Sequence, residues 1–338
     1  MRTLPFALVL SVVASLVLVG LPISASAQAK DWTVPRTSDG QPDLEGVWAN
    51  NNATPLERPE AWADKEYLTD EELSQVMAAA AEATDPGQDA LFGDQLILAA
   101  IERTQGKSYD PTTGNYNQFW IADRVFNTNR TSLVIDPPDG RIPDTTPEAN
   151  AASSARAEYR REHPADTYTD RPLSERCVSY GAPRIGAGYN SYVQIMQGED
   201  HVVIFQEMIH DARVIPIGER PHLPKSIRQL HGDSRGHWEG DTLVIETTNY
   251  SSDGGLRGGS SERTVTERLT RVSDDILDYE VTFDDSATWV KPWTVSIPLR
   301  GTDDAVFEYA CHEGNIGMEG ILAGHRAQER TPFDPESR

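Results

Sequence analysis

The sequence predicts a mainly β protein: an antiparallel, calycin-like barrel or strongly curved sheet, preceded by an irregular and helical N-terminal region. Two observations carry this. From about residue 175 onward, apolar and polar residues alternate with a period of two in short runs, the signature of strands with one buried face. Short breaks rich in Gly, Asp and Ser separate many of those runs, and short connections between sequential strands favour antiparallel meander pairing. Closing or curling such a meander is the economical way to bury its inner face.

The elements follow in chain order. Residues 1–29 carry a secretory signal: Arg2, an uncharged apolar run over 6–23, and Ala27-Gln28-Ala29 placing small residues at −3 and −1 of a cut before Lys30. A membrane anchor is the competing reading, and Pro22 with the small-residue end favours cleavage. No second apolar run of that length exists, so the expected location is periplasmic or secreted, with no stable membrane insertion after cleavage. Residues 30–174 form an arm and helices that pack on the barrel. Residues 30–60 are rich in Pro, Asn, Asp and Gly, and Trp32, Trp48 and Trp62 are expected to pin this arm. Thr69 and Glu72 make a capping box for a helix over 73–83, stopped by Asp85-Pro86-Gly87. Residues 89–104 suggest a second helix, 131–136 a short strand, and 147–162 a helix with Pro147 near its start. The barrel-like domain spans 175–326, with strands at 192–197, 201–209, 213–217, 242–249, 264–272, 277–284, 294–299 and 306–312. Asp233-Ser234-Arg235-Gly236 reads as a turn and 238–243 as a hairpin; 327–338 reads as a flexible tail.

Composition narrows the partners. Fifty-three acidic against 30 basic residues give a formal charge of −23. Such a surface repels phosphate backbones and anionic lipid, which excludes nucleic acid as a partner and leaves a small molecule. Two cysteines occur, Cys177 and Cys311. In an oxidising compartment one disulfide is the economical reading; two buried thiols or a metal pair are the alternatives.

The chain lacks H-E-x-x-H, a paired C-x-x-C, a G-x-S-x-G elbow, a P-loop and a dinucleotide-binding glycine motif, so no cofactor and no metal is predicted. Its eight histidines all follow residue 160. Glu207 and His210 lie where one predicted strand ends and the next begins. Strand alternation puts Glu207 on the face of Val203 and Phe205, where a carboxylate needs a partner, and His210 at the rim, where ligands reach. A rim histidine paired with Asp211 and no further role is the plainer alternative. In the second cluster, a bridged Cys311 would fix its strand and put Glu308 and His312 together on the opposite face, as a carboxylate–imidazole pair. A polar cap on the barrel end is the alternative there. Tyr309 and Asn315 flank that pair, and Arg213, Arg228 and His222 are candidates to hold a carboxylate or another anionic group of a ligand. Ser234 is read as part of a hydrogen-bonded turn rather than as a nucleophile.

Several phrases occur together: PRTSDGQPDLEGVWAN (35–50), RTSLVIDPPDGRIP (130–143), EMIHDARVIP (207–216), RPHLP (220–224) followed by IRQ (227–229), GDSRGHWEGDTLVIETTNY (232–250) and EYACHEGNIGMEGILAG (308–324). In these the chain resembles a large family of exported, largely uncharacterised bacterial proteins, over nearly the whole mature length. The resemblance implies export and carries no activity. It places His210, His222 and His312 inside shared motifs, and it demotes His231 and His237. Thr264 stands where similar sequences often have histidine.

The expected function is therefore a cofactor-independent secreted or periplasmic enzyme: a lyase, isomerase or hydrolase that works by acid–base chemistry on a small organic or sugar-derived molecule. His210 and His312 would be its acid and base, oriented by Glu207 and Glu308. A non-catalytic calycin-like binding protein and a His/Glu metal-dependent enzyme, with ligands from His210, His222, His312 and Glu207, are the alternatives.

Overall fold

A computed structural model describes residues 32–84, 91, 94–103, 124–187, 189–252 and 259–330. The expected signal segment 1–29 and residues 331–338 lie outside the described residues. The chain divides into two units, Met1–Thr33 and Val34–Arg338; everything below concerns the second. Among the described residues no helix is long and apolar enough to cross a membrane.

Ten strands make one antiparallel sheet: β1 (Gly46–Ala49), β2 (Val134–Asp136), β3 (Tyr192–Gln197), β4 (His201–Gln206), β5 (Ala212–Pro216), β6 (Asp233–Glu239), β7 (Thr242–Thr248), β8 (Thr264–Arg271), β9 (Ile276–Asp284) and β10 (Trp293–Thr302). Their order is β5-β4-β3-β1-β10-β9-β8-β7-β6, with β2 also pairing with β10. The expected meander is present in two runs, β3 to β5 and β6 to β10, and the strand that joins them is β1. Sequence reading placed that segment in an irregular arm. Four residues are too few to display alternation, yet Trp48 is buried in the core and its indole N–H donates to the Leu44 carbonyl at 2.9 Å.

The sheet is strongly curved and not closed. Its edge strands meet through one parallel bridge, Ile217 with Gly236, where the Gly218 N–H donates to the Gly236 carbonyl at 2.9 Å. Only glycine permits this approach, because a Cβ on residue 236 would stand 2.6 Å from Ile217 Cδ1. Inside the curve, alternate residues of each strand build the core: Val265, Glu267 and Leu269 from β8, Leu277, Tyr279, Val281 and Phe283 from β9, Arg213 and Ile215 from β5.

Four helices complete the described chain: α1 (Asp70–Ala83), α2 (Gln95–Glu102), α3 (Pro147–Glu162) and α4 (Ile316–Arg330). The capping box of α1 forms as expected, with the Glu72 N–H donating to Thr69 Oγ1 and the Thr69 N–H to Glu72 Oε2. Three expectations need correction. Asp233–Gly236 is not a turn but the start of β6, because Thr247 and Thr248 opposite supply its ladder. The segment 306–312 forms no strand; its position is held by the disulfide instead. The region expected to end a barrel and then fray at 327 is one helix, α4, running to Arg330.

Candidate functional site

The predicted disulfide is present: Cys177 and Cys311 are bridged, with Cα atoms 5.6 Å apart across 134 positions of sequence. Cys177 has φ +56°, which turns the chain sharply at the bridge. The staple brings 308–315 against 174–181, and several predicted residues collect beside it. The His210 and His312 rings lie with centroids 6.3 Å apart, close enough to serve one reaction. His210 follows Ile209 in a second consecutive left-handed conformation (φ +44° and +54°), which pushes its ring outward, and its Nδ1–H donates to the Tyr309 carbonyl at 3.3 Å. Asn315 donates from Nδ2 to Cys177 Sγ at 3.2 Å and lines a hollow beside the staple.

Other predicted residues are placed elsewhere. Glu207 is buried, but by a different route: β4 ends at Gln206, its inward face is Val202, Ile204 and Gln206, and Glu207 sits in the following turn. Glu308 is exposed and makes no bond to His312 among the described residues, since no strand exists there to align them. Arg213 lies in the interior, where its two terminal nitrogens donate to the Glu267 carboxylate at 2.6 and 2.7 Å. Burial disfavours its charge, and the Glu267 carboxylate more than offsets this, so the guanidinium holds its proton more tightly than usual. Tyr279 also donates to Glu267, and burial with that carboxylate pushes its phenol well above the ordinary range. The charge of Arg213 is thus matched inside the sheet, with only its Nε lacking a hydrogen-bond partner, and it lines none of the cavities described below. Arg228 is tied to the Tyr250 and Ser261 carbonyls and to Glu262. His222 is held at both nitrogens, by Asp233 at 2.9 Å and Glu246 at 3.1 Å. Ser234 is buried against Thr247.

The most chemically organised group is one that sequence reading missed. Asp211, next to His210, is buried with 4 % of its side chain exposed. Its Oδ2 accepts from the Tyr180 N–H at 3.1 Å and from the Ser179 hydroxyl at 3.0 Å. His231 Nε2 lies 2.8 Å from Ser179 Oγ and 3.3 Å from Asp211 Oδ1. Ser179 Oγ also accepts from the Gly181 N–H at 2.8 Å. One proton arrangement satisfies the whole set: Ser179 donates to Asp211, and Nε2 of His231 carries the hydrogen and donates to both oxygens. A lone pair on Nε2 would face the Asp211 carboxylate, which is repulsive. In neutral His231 the lone pair is then on Nδ1, which has no hydrogen-bond partner among the described residues. This is the layout of a general base: a buried carboxylate fixes the tautomer and the far nitrogen is left to react.

His231, Ser179, Tyr180 and Gly181 form part of the wall of a cavity of about 760 Å³. Across it stand four arginines, Arg156 and Arg160 from α3, then Arg171 and Arg176. The cavity has the size of an ordinary small-molecule site. His231 was demoted, and Ser179 was not considered, because nothing local in the sequence marks either. Their partner Asp211 stands 32 and 20 positions away, and only folding joins them.

Among the described residues, one group of three His or carboxylate donors is close enough to hold an ion: Asp166, His325 and Glu329. His210, His222, His312 and Glu207, the set considered from sequence for a metal, form no such group. No protein-family model, no curated protein and no solved structure matches the chain.

Proposed function

We propose that this is an exported, cofactor-independent acid–base enzyme that acts on a small organic molecule in the cavity beside His231. The single observation that carries this reading is the Asp211–Ser179–His231 network: a buried carboxylate and a hydroxyl pin one imidazole nitrogen, on a residue lining a cavity large enough for a substrate. His231 would take a proton from the substrate and return it, in an elimination, isomerisation or hydrolysis, and Asp211 would stabilise the imidazolium that forms. The other histidine pair, His210 with His312, stands next to this network along the chain: His210 precedes Asp211, and His312 follows the cysteine bridged to Cys177, two residues before Ser179. It would supply the second acid or base. Export is supported by the N-terminal signal pattern and by the disulfide, a bond that persists in oxidising compartments.

The test is a conversion screen by mass spectrometry, with the mature protein and a library of small acids, esters and sugar derivatives. His231→Gln should lower turnover of any converted compound by about 10²–10⁴-fold, the usual contribution of a general base, with the unfolding curve unchanged. Wild-type turnover in His231→Gln would end this reading. If His312→Ala alone then abolished conversion, the reaction would belong to the histidine pair instead.

A further inference from the structure

The sign of the cavity is unlike the rest of the molecule. The chain carries 53 Asp and Glu against 30 Lys and Arg, yet among the described residues four arginines and no carboxylate line this cavity. Two other hollows among the described residues follow the bulk charge. One is lined by Asp39, Asp43, Glu45 and Glu199, the other by Glu175, Glu308 and Glu313, and neither has a Lys or Arg in its lining. The arginines are also unequal in what holds them. Arg171 is neutralised by a two-pronged bond to Glu175, at 2.7 and 3.0 Å. Arg176 stacks its guanidinium over the Tyr168 ring at 5.2 Å, which orients it without cancelling its charge. Arg156 and Arg160, one turn apart on α3, pair with no carboxylate among the described residues. The position of Arg160 near the C-terminus of α3 suits the helix dipole, but that accounts for neither Arg156 nor Arg176. Three uncompensated guanidiniums facing one walled space concentrate positive potential there, and each presents a fork of donors matched to an oxyanion.

Resting on the acid–base reading of His231, we infer that the substrate is a small organic polyanion, with at least two carboxylate or phosphoryl groups held by Arg156, Arg160 and Arg176. The same field would aid the chemistry, because negative charge that develops when His231 removes a proton forms beside fixed cations. The test uses the disulfide-bonded mature chain at low salt and calorimetry with matched pairs: succinate against succinamide, tricarballylate against its triamide, glucose 6-phosphate against glucose. At least one anion should bind at least tenfold more tightly than its neutral partner, and added salt should weaken it. Arg156→Gln/Arg160→Gln should reduce that affinity at least tenfold while the helix content stays the same, because both side chains are exposed and glutamine is a good helix former. No preference for any anion over its neutral partner, or an unchanged affinity in the double variant, would overturn the inference. His231→Gln separates the two claims. Anion binding that persists in this variant supports the polyanion site, whatever happens to turnover. A neutral compound converted in a His231-dependent way, with no anion bound, would refute the polyanion alone.

Discussion

The interior of the sheet and the cavity beside the disulfide use the same residue types to opposite ends. In the interior, Arg213 from β5 meets Glu267 from β8 across the curve, Tyr279 adds a third bond, and every strong charge is matched. At the cavity, Arg156, Arg160 and Arg176 have no carboxylate among the described residues to match them, and the buried acid nearby, Asp211, is occupied by Ser179, Tyr180 and His231. Two serines repeat the contrast. Ser234 is sealed against Thr247, whereas Ser179 holds a histidine at a cavity wall. A charge or hydroxyl therefore indicates a site not by its type but by whether the fold has already satisfied it. Buried and satisfied groups hold the sheet in shape; groups left over at a concave surface are available to a ligand.

The comparison can be broken most forcefully from the interior. Glu267→Gln leaves the Arg213 guanidinium buried without its counter-charge and should destabilise the protein by about 3–5 kcal/mol in urea unfolding, without altering anion affinity at the cavity in the fraction still folded. The paired change Arg213→Met/Glu267→Leu should recover most of that loss, since an apolar pair carries no desolvation cost. A small effect of Glu267→Gln would mean that water reaches the pair, and the dry interior would be wrong. Replacing both cysteines with serine should cost about 2–5 kcal/mol by unfolding and should also separate the two regions. The sheet core would keep its near-native signature, while the His210–His312 contact loosens, visible as altered histidine resonances.

Gly236→Ala comes next. The added methyl meets Ile217 at the single bridge between β5 and β6, and overpacking of this kind costs roughly 1–3 kcal/mol. Ser234→Ala should lose about 1 kcal/mol, the value of one buried hydrogen bond, and change neither binding nor turnover. The smallest effect concerns the anchoring of α3 and α4 behind the cavity. The hydrogen bond to Asp166 raises the His163 pKa above 6.5, and the same bond, with one to His325, lowers that of Asp166 below 3.8. A raised histidine pKa stabilises fully below 6.5 and is lost as pH rises through the folded value. A depressed carboxylate pKa stabilises above 3.8 and is lost as pH falls through the folded value. The anchoring is thus greatest between about pH 4 and 6.5, and amide exchange in the last turn of α3, which His163 caps, should be slower at pH 6 than at pH 9 after correction for intrinsic rates; equal protection would remove this role from the pair.

Much of the strand set could be read from the sequence, because period-two alternation records which face of each strand meets the core. β8 and β9 are the clearest cases, with Val265, Leu269, Leu277, Val281 and Phe283 all inward. The disulfide was legible because two cysteines, if bridged within one chain, leave one pairing. β1 was not legible, since its four residues owe their extended form to β3 and β10 on either side and not to their own pattern. The 306–312 segment failed for a different reason: Val306, Phe307 and Tyr309 favour a strand by type, but the run lacks strict alternation and pairs with no strand.

By itself, then, the sequence determined the β class, the capping box of α1, the proline start of α3 and the cysteine bridge, because each follows from local chemistry or from a choice with one solution, whereas the meeting of His210 with His312 came from the fold. The tertiary structure decided which charges are free. Residues 156–176 contain five arginines and five acids, a run without net charge, and only packing gave Asp166, Asp170 and Glu175 their partners and left three of the arginines lining a cavity. It also decided that Arg213 serves the core and that His231 meets Asp211. Such pairings depend on the distances between segments far apart in the chain, which no local pattern of residues encodes.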